Sequence, residues 1–354
     1  MLKRLFNDRL CAPGDLPASR DDMEVIGVFN PGAVQVGDEV VLLVRVSERP
    51  RERREGQVAS PRCVSETGAI EIDWFPEEDV EHLDMRIFKD LRSGRLRLSF
   101  WSYLRVLRSA DGRSIASTDG PAFLPEAPWE EFGVEDPRIT PIGDTYWFTY
   151  VAVSRHGPCT ALASTKDFKT FDRHGIVFTV ENKDVVLFPE KHNGLYMCLH
   201  RPLALSPFGP PEMWYATSPD MIFWGHHQFL LGGVSDWECS RVGAGAPPIR
   251  VDAGWLELYH GNQKDPNQPG VGQYAAAVAI LDPADPHRIV RRSHEPAMIP
   301  ETDFDKEGFV PNVVFPTGIV DRGEIVQVYY GAADTSTGVV EFSKADLVGS
   351  TVEV

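Results

Sequence analysis

The chain has 354 residues, 42% hydrophobic and 25% charged, an ordinary globular composition with length for one large domain or two smaller ones. Its formal net charge of −17 excludes a generally basic nucleic-acid surface and argues against adhesion to anionic membranes, but not against a local basic pocket. The five cysteines, Cys11, Cys63, Cys159, Cys198 and Cys239, are scattered without CxxC spacing, which favours buried free thiols over a disulfide framework or a zinc site.

No run approaches the ~18 apolar residues of a spanning helix. The start, Met1-Leu2-Lys3-Arg4-Leu5, has no apolar stretch behind its charges. A soluble, cytoplasmic chain is expected, with neither nucleic acid nor membrane as partner.

Along the chain, Phe29-Asn30-Pro31-Gly32 leads into the strand-like run Gly37 to Arg45. Residues 48–98 separate that run from the rest of its repeat, with a charge cluster from Arg49 to Arg54 and an acidic stretch from Glu71 to Asp90. This segment reads as an insertion on the first repeat, either overhanging a central funnel or lying on the surface as a solvated loop. Glu135-Asp136-Pro137-Arg138 precedes a second strand run from Gly143 to Tyr150. Further copies of that run begin at Gly194, Gly254 and Gly323, each rich in β-branched or aromatic residues behind turn chemistry. A short strand ending in a Ser/Asp turn comes after each run, at Arg108-Ser109-Ala110-Asp111-Gly112, Ser164-Thr165-Lys166-Asp167 and Ser218-Pro219-Asp220, with looser versions at Leu281-Asp282-Pro283 and Ser343-Lys344-Ala345-Asp346.

The two elements recur in step, roughly fifty to sixty residues apart, the scale of one four-stranded blade. The expected fold is all-β, a five-bladed β-propeller over residues 1–354 as a single domain, with the insertion at about 48–98. A two-sheet sandwich would not produce such a repeat.

Polar groups at the ends of inner strands would converge on the central channel. Glu135 and Asp136 are adjacent carboxylates that would face opposite ways on an extended strand, and Pro137 biases Asp136 toward extended backbone. Read alone, they equally make a turn and a surface ion pair. Lys183, in Asn182-Lys183-Asp184, and His200-Arg201-Pro202 place basic groups at strand boundaries where they could hold an anion, or satisfy a structural carboxylate. His260 follows Tyr259 at the same repeat position, and Gly331-Ala332-Ala333-Asp334 delivers one carboxylate from a small-residue turn. Gly243-Ala244-Gly245 reads as a close-packed turn near the channel, without the Lys-Ser/Thr of a phosphate loop. GxSxG, GxGxxG after a strand and HExxH are absent, so no metal and no organic cofactor is expected.

These motifs in this order, joined by Val310-Pro311-Asn312 through Pro316, make the chain resemble glycoside hydrolase family 130 from about residue 25 to 345. The resemblance implies a five-bladed propeller acting on β-mannosides. It implies Asp136 as catalytic acid, with Asn30, Arg45 and Asp334 holding the mannosyl unit and Glu135 beside them. It implies Lys183, Arg201, His260 and Tyr274 around inorganic phosphate as co-substrate. Many members carry Arg where this chain has Lys183, and Tyr where it has Glu135. The segment 48–98 matches nothing in the family pattern.

The reaction so implied is inverting phosphorolysis of β-1,2- or β-1,4-linked manno-oligosaccharides to α-D-mannose 1-phosphate. An Asp acting as acid near neutrality needs a raised pKa, so Asp136 is expected to be raised and Arg138 to point away from it. One alternative is an inverting β-mannosidase using water. It requires Glu135, Glu190 or Glu238 opposite Asp136, with the basic groups turned away. The other is a non-catalytic glycan-binding propeller. Linkage and acceptor sugar stay open, as does a homo-oligomer.

Overall fold

In the computed structural model, which describes residues 2–202, 209–264 and 270–354, five strands carry unbroken runs of buried residues. They are Glu39–Pro50, Thr145–Ser154, Tyr196–Pro202, Gly254–Gln263 and Ile325–Ala332. Both of their faces are covered, so apolar and aromatic residues occur on both, without strict alternation with polar ones. The turn glycines anticipated ahead of them, Gly37, Gly143, Gly194, Gly254 and Gly323, all have positive φ, which glycine adopts without steric cost.

Each of these strands pairs antiparallel with an earlier strand, Met23–Val36, Gly133–Ile142, Asn182–Leu187, Arg241–Ala244 and Val314–Asp321, and in the fourth unit Ile249–Val251 pairs with Gly254–Gln263 as well. Each pairs on its other edge with Trp101–Ser109, Gly157–Thr165, Met213–Ser218, Gln273–Leu281 or Ser336–Ser343. The first two such units merge into one eight-stranded sheet through a parallel bridge, Gly133 to Ser102. The amino-terminal strand Phe6–Cys11 pairs with Ser336–Ser343, so the two ends of the chain share a sheet. Among the described residues no sheet closes on itself. Among the described residues α-helix is confined to Asp303–Lys306 and Lys344–Gly349, and no helix is long and apolar enough to cross a membrane.

The Ser/Asp turns repeat atom for atom. Ser109, Thr165 and Ser218 hydroxyls accept from the backbone N–H of Gly112, Phe168 and Met221 at 2.8, 2.9 and 2.8 Å. Asp111, Asp167 and Asp220 then accept from the next two backbone N–H groups. Short side chains acting as backbone mimics make such turns local and legible.

Five apolar clusters lie between consecutive units. One joins the first and second through Leu43, Val106, Ile139 and Phe148, and another joins the second and third through Leu162 and Val185. Clusters around Leu199 and Tyr259, and around Leu258 and Val328, carry the series on. Val44, Tyr103, Tyr329 and Val339 then link the fifth unit back to the first.

Residues 57–98 sit between two directly paired strands, since Glu48 lies opposite Trp101. They form a hairpin, Gln57–Val64 with Ala69–Pro76, and a three-stranded ribbon, Val80–His82, Ile87–Asp90 and Leu96–Leu98. The cysteines are free, as expected, but Cys239 is exposed where burial was anticipated.

Candidate active site

All nine candidate residues line one cavity of about 630 Å³: Asn30, Arg45, Glu135, Asp136, Lys183, Arg201, His260, Tyr274 and Asp334. They arrive there by a shared device. Asn30, Asp136 and Asp184 have φ of 50, 51 and 54°, and each lies where the register of a first strand shifts, after Phe29, Glu135 and Lys183. Such bulges re-aim a side chain, and Asn and Asp tolerate the left-handed conformation better than most residues. Across from them on the second strands, Arg45 pairs with Phe29, Arg201 with Lys183 and His260 with Gly243.

The bulge corrects two expectations about Glu135 and Asp136. Asp136 is not extended despite Pro137, and the two carboxylates do not diverge. Both meet one guanidinium: Arg45 Nη2 donates to Glu135 at 2.8 Å and Nη1 to Asp136 Oδ1 at 3.0 Å. Asn30 Nδ2 donates to the same Oδ1 at 2.8 Å. Ser102 accepts from Arg45 Nε at 3.2 Å, and the guanidinium lies 4.6 Å from the centre of the Phe29 ring.

The expected elevation of the Asp136 pKa is also not found. Burial raises it, but the charges of Arg45 and Arg138, the Asn30 hydrogen bond and Lys183 outweigh burial and hold it below 3.8. Arg138 does turn its donors away from that carboxylate. It donates to the Gly245 carbonyl at 2.6 Å and to the Asp136 backbone carbonyl at 2.8 Å. Its charge is still felt across the short gap. The raised carboxyl is Asp334, lifted to about 6 by burial, with Arg86 and Arg45 opposing and Asp136 and Glu135 adding to the rise.

Beside this carboxylate group lies a basic one built around Asp184, a residue that sequence reasoning passed over for its neighbour Lys183. Asp184 is buried, 2.9 Å from Arg201 Nε, 3.4 Å from His260 Nε2 and 3.7 Å from Arg138 Nη2. Burial opposes its ionisation, but Arg201, His260 and Arg138 hold its pKa well below the usual range. Burial depresses His260, against the pull of Asp184, and so keeps the ring neutral. Among the described residues, Arg201 Nη1, Arg138 Nη2 and Arg241 Nε are buried donors without a hydrogen-bond partner, and Nδ1 of the neutral His260 ring is also without one. Orphaned donors of this kind are costly unless a ligand satisfies them.

Gly243 packs closely against Asp184 and His260. A Cβ there would lie 2.6 Å from Asp184 Oδ2 and 2.7 Å from His260 Cε1. Arg241 Nη1 donates to the Tyr274 hydroxyl at 3.2 Å, and His260 packs 4.5 Å from the Phe315 ring.

Glu190 and Glu238 do not line the cavity. Glu238 is instead held by Arg292 at 2.8 Å and by the Tyr259 hydroxyl. The ribbon of residues 80–98 does reach the cavity, contributing Arg86, Arg95 and Arg97 to its lining. No signal in the sequence singled out these arginines. Asp184 could have been found by aligning Asn30-Pro31, Asp136-Pro137 and Asp184-Val185 as one repeat position. Among the described residues no group of three or more His, Cys, Asp or Glu side chains is placed to hold a metal.

A polar cavity that sets a carboxylate cluster against buried, unpartnered cationic donors is what a glycoside-cleaving enzyme with an anionic co-substrate requires. The chain belongs to glycoside hydrolase family 130, whose sequence model, described as β-1,4-mannooligosaccharide phosphorylase, matches residues 100–353. The β-1,2-mannobiose phosphorylase of Listeria innocua serovar 6a is 38% identical over 339 residues, 94% of this chain and 93% of that protein. The structure of the Listeria innocua β-1,2-mannobiose phosphorylase with β-1,2-mannobiose superposes with a TM-score of 0.89 at 36% identity, covering 96% of each chain. The β-1,4-mannooligosaccharide phosphorylase of Ruminococcus albus is 36% identical over 218 residues, 60% of this chain and 63% of that one.

Proposed function

We propose that this chain catalyses inverting phosphorolysis of β-1,2-linked manno-oligosaccharides, releasing α-D-mannose 1-phosphate. The observation that carries the reading is the set of buried, unpartnered donors beside Asp136. A phosphate ion would satisfy them, with Lys183, Arg201, His260 and Tyr274 as its holders. A hydrolase would instead need a second carboxylate free to activate water. Of the carboxylates considered for that role, Glu190 and Glu238 are outside the cavity and Glu135 is engaged by Arg45. The β-1,2 linkage is favoured because the Listeria innocua relative aligns over nearly the whole chain.

In the proposed step a phosphate oxygen attacks the anomeric carbon from the face opposite the leaving sugar. The C–O bond to that sugar breaks with inversion, and its oxygen takes a proton that originates on Asp136 and passes through a substrate hydroxyl. Asn30, Arg45 and Asp334 hold the mannosyl ring. The free enzyme keeps Asp136 ionised. Bound phosphate adds negative charge beside it and offsets Lys183 and Arg138, which raises the carboxyl toward the range where it can carry a proton.

We also propose that the five antiparallel units are the blades of a propeller. Support comes from the five apolar clusters, each shared by consecutive units, and from the amino-terminal strand completing the last unit. Residues 48–98 are then an insertion on the first blade.

Incubation with β-1,2- and β-1,4-mannobiose, with and without phosphate, tests the function. Phosphate-dependent α-mannose 1-phosphate from the β-1,2 disaccharide is expected. Equal release of mannose without phosphate would replace phosphorolysis by hydrolysis. Preference for the β-1,4 disaccharide would overturn the linkage.

A further inference from the structure

The ribbon of residues 80–98 lies outside residues 100–353 matched by the family model, although the Listeria innocua relative aligns over 94% of the chain, and it places a charge in the sugar site. Asp84 shapes the turn. Its Oδ1 accepts from the backbone N–H of Arg86 at 2.7 Å and of Ile87 at 3.1 Å, and its Oδ2 accepts from Arg86 Nη2 at 2.8 Å. Ser99 N–H donates to the Arg86 carbonyl at 2.9 Å and ties the turn to the end of the ribbon. The arginine is thus held by its own backbone and by one side of its guanidinium. Its remaining Nη1 stands 3.9 Å from Asp334 Oδ2.

Asp334 needs such a partner. It follows Ala333, and the two residues have φ of 47 and 48°, a turn that aims the carboxylate into the cavity. There it meets Glu135 and Asp136, both already bonded to Arg45. Among the described residues Arg86 is the one cation within 4.0 Å of the Asp334 carboxylate.

We propose that Arg86 is a positioning residue of the sugar site, which holds Asp334 in place as a carboxylate able to accept hydrogen bonds from mannosyl hydroxyls near neutral pH. This rests on the reading of the cavity as a mannoside site. The groups that face the pair are Arg45, Glu135, Asp136, Asp84 and the Tyr274 hydroxyl. Of these only Arg45 supplies positive charge, and it is shared with the other two carboxylates. Without Arg86 the Asp334 carboxyl, already at about 6, would titrate higher by roughly one pH unit or more, the usual effect of an opposite charge at this range. A protonated Asp334 loses acceptor capacity on the side facing the sugar.

The test compares wild type, Arg86→Gln and Arg86→Lys. The acidic limb of kcat/KM for β-1,2-mannobiose reports groups of the free enzyme. In Arg86→Gln it should move to about pH 7 or above, with about a threefold or larger loss at pH 6.5 and near-recovery at pH 8.5. Arg86→Lys should keep the limb close to wild type. A loss of equal size at every pH would overturn the proposal and leave Arg86 a structural tie of the ribbon. Titration of the Asp334 carboxyl by carbon NMR, assigned with Asp334→Asn, needs no turnover. An upward shift in Arg86→Gln is expected, and an unmoved midpoint overturns the proposal even if the reaction proves to be hydrolysis.

Discussion

Replacing Asp334 by Asn should stabilise the protein while abolishing its activity. The carboxyl is lifted from 3.8 to about 6 by burial and by Glu135 and Asp136, against the pull of Arg86 and Arg45. The folded state therefore holds this proton more tightly than the unfolded chain. Ionised Asp334 costs stability that is absent below pH 3.8, grows as pH rises, and is complete above about pH 6. A shift of about two units at 1.36 kcal/mol each caps the cost at about 3 kcal/mol. Asn has nearly the same shape and no charge. Its gain should approach that cap at pH 7.5, less what Arg86 loses in partner, and fall below about 1 kcal/mol near pH 4. Urea unfolding of both proteins at several pH values measures it, with turnover assayed in parallel. A variant no more stable than wild type at pH 7.5, or a gain that grows toward pH 4, would refute the electrostatic reading of this carboxylate cluster.

Two further substitutions probe the basic half of the site. Gly243→Ala puts a Cβ 2.6 Å from Asp184 Oδ2 and 2.7 Å from His260 Cε1. It should raise the phosphate KM by about tenfold or more, at a stability cost of about 1–3 kcal/mol typical of overpacking, with disaccharide KM little changed; an unaltered phosphate KM would remove Gly243 from the cradle. Glu257→Gln should be nearly neutral in thermal stability at pH 7, because burial pushes the Glu257 carboxyl well above its ordinary 4.5 against the Gly245 N–H and Arg138, which favours the neutral acid. A loss of about 3–5 kcal/mol would show instead that an ionised Glu257 balances Arg138.

The features legible in the sequence were local or buried on both sides. The second strand of each unit announced itself because Val40 to Val44 and its counterparts are rich in β-branched and aromatic residues behind a turn glycine. The Ser109, Thr165 and Ser218 turns announced themselves because their hydrogen bonds span only a few residues. The first strands were harder, because their bulges break the period-two pattern on which strand reading rests. That is why Glu135 and Asp136 were expected to diverge and instead converge on Arg45. It is also why Asp184, at the same bulge position, was passed over in favour of Lys183. The nine residues chosen do share one cavity, chiefly because a family pattern carried them. Arg86 escaped because it comes from a segment that the pattern does not include. The sign of the Asp136 shift was out of reach for a different reason. It depends on how far Arg45, Arg138 and Lys183 stand from one carboxylate, and their order in the chain does not give those distances.

The central claim is that the donors beside Asp136 receive phosphate as the attacking group. Phosphorus NMR of the enzyme with β-1,2-mannobiose and inorganic phosphate tests it most directly. The account predicts a growing resonance of α-mannose 1-phosphate matched by loss of inorganic phosphate, and no such resonance with Asp136→Asn. Cleavage of the disaccharide with the inorganic phosphate signal unchanged would contradict it.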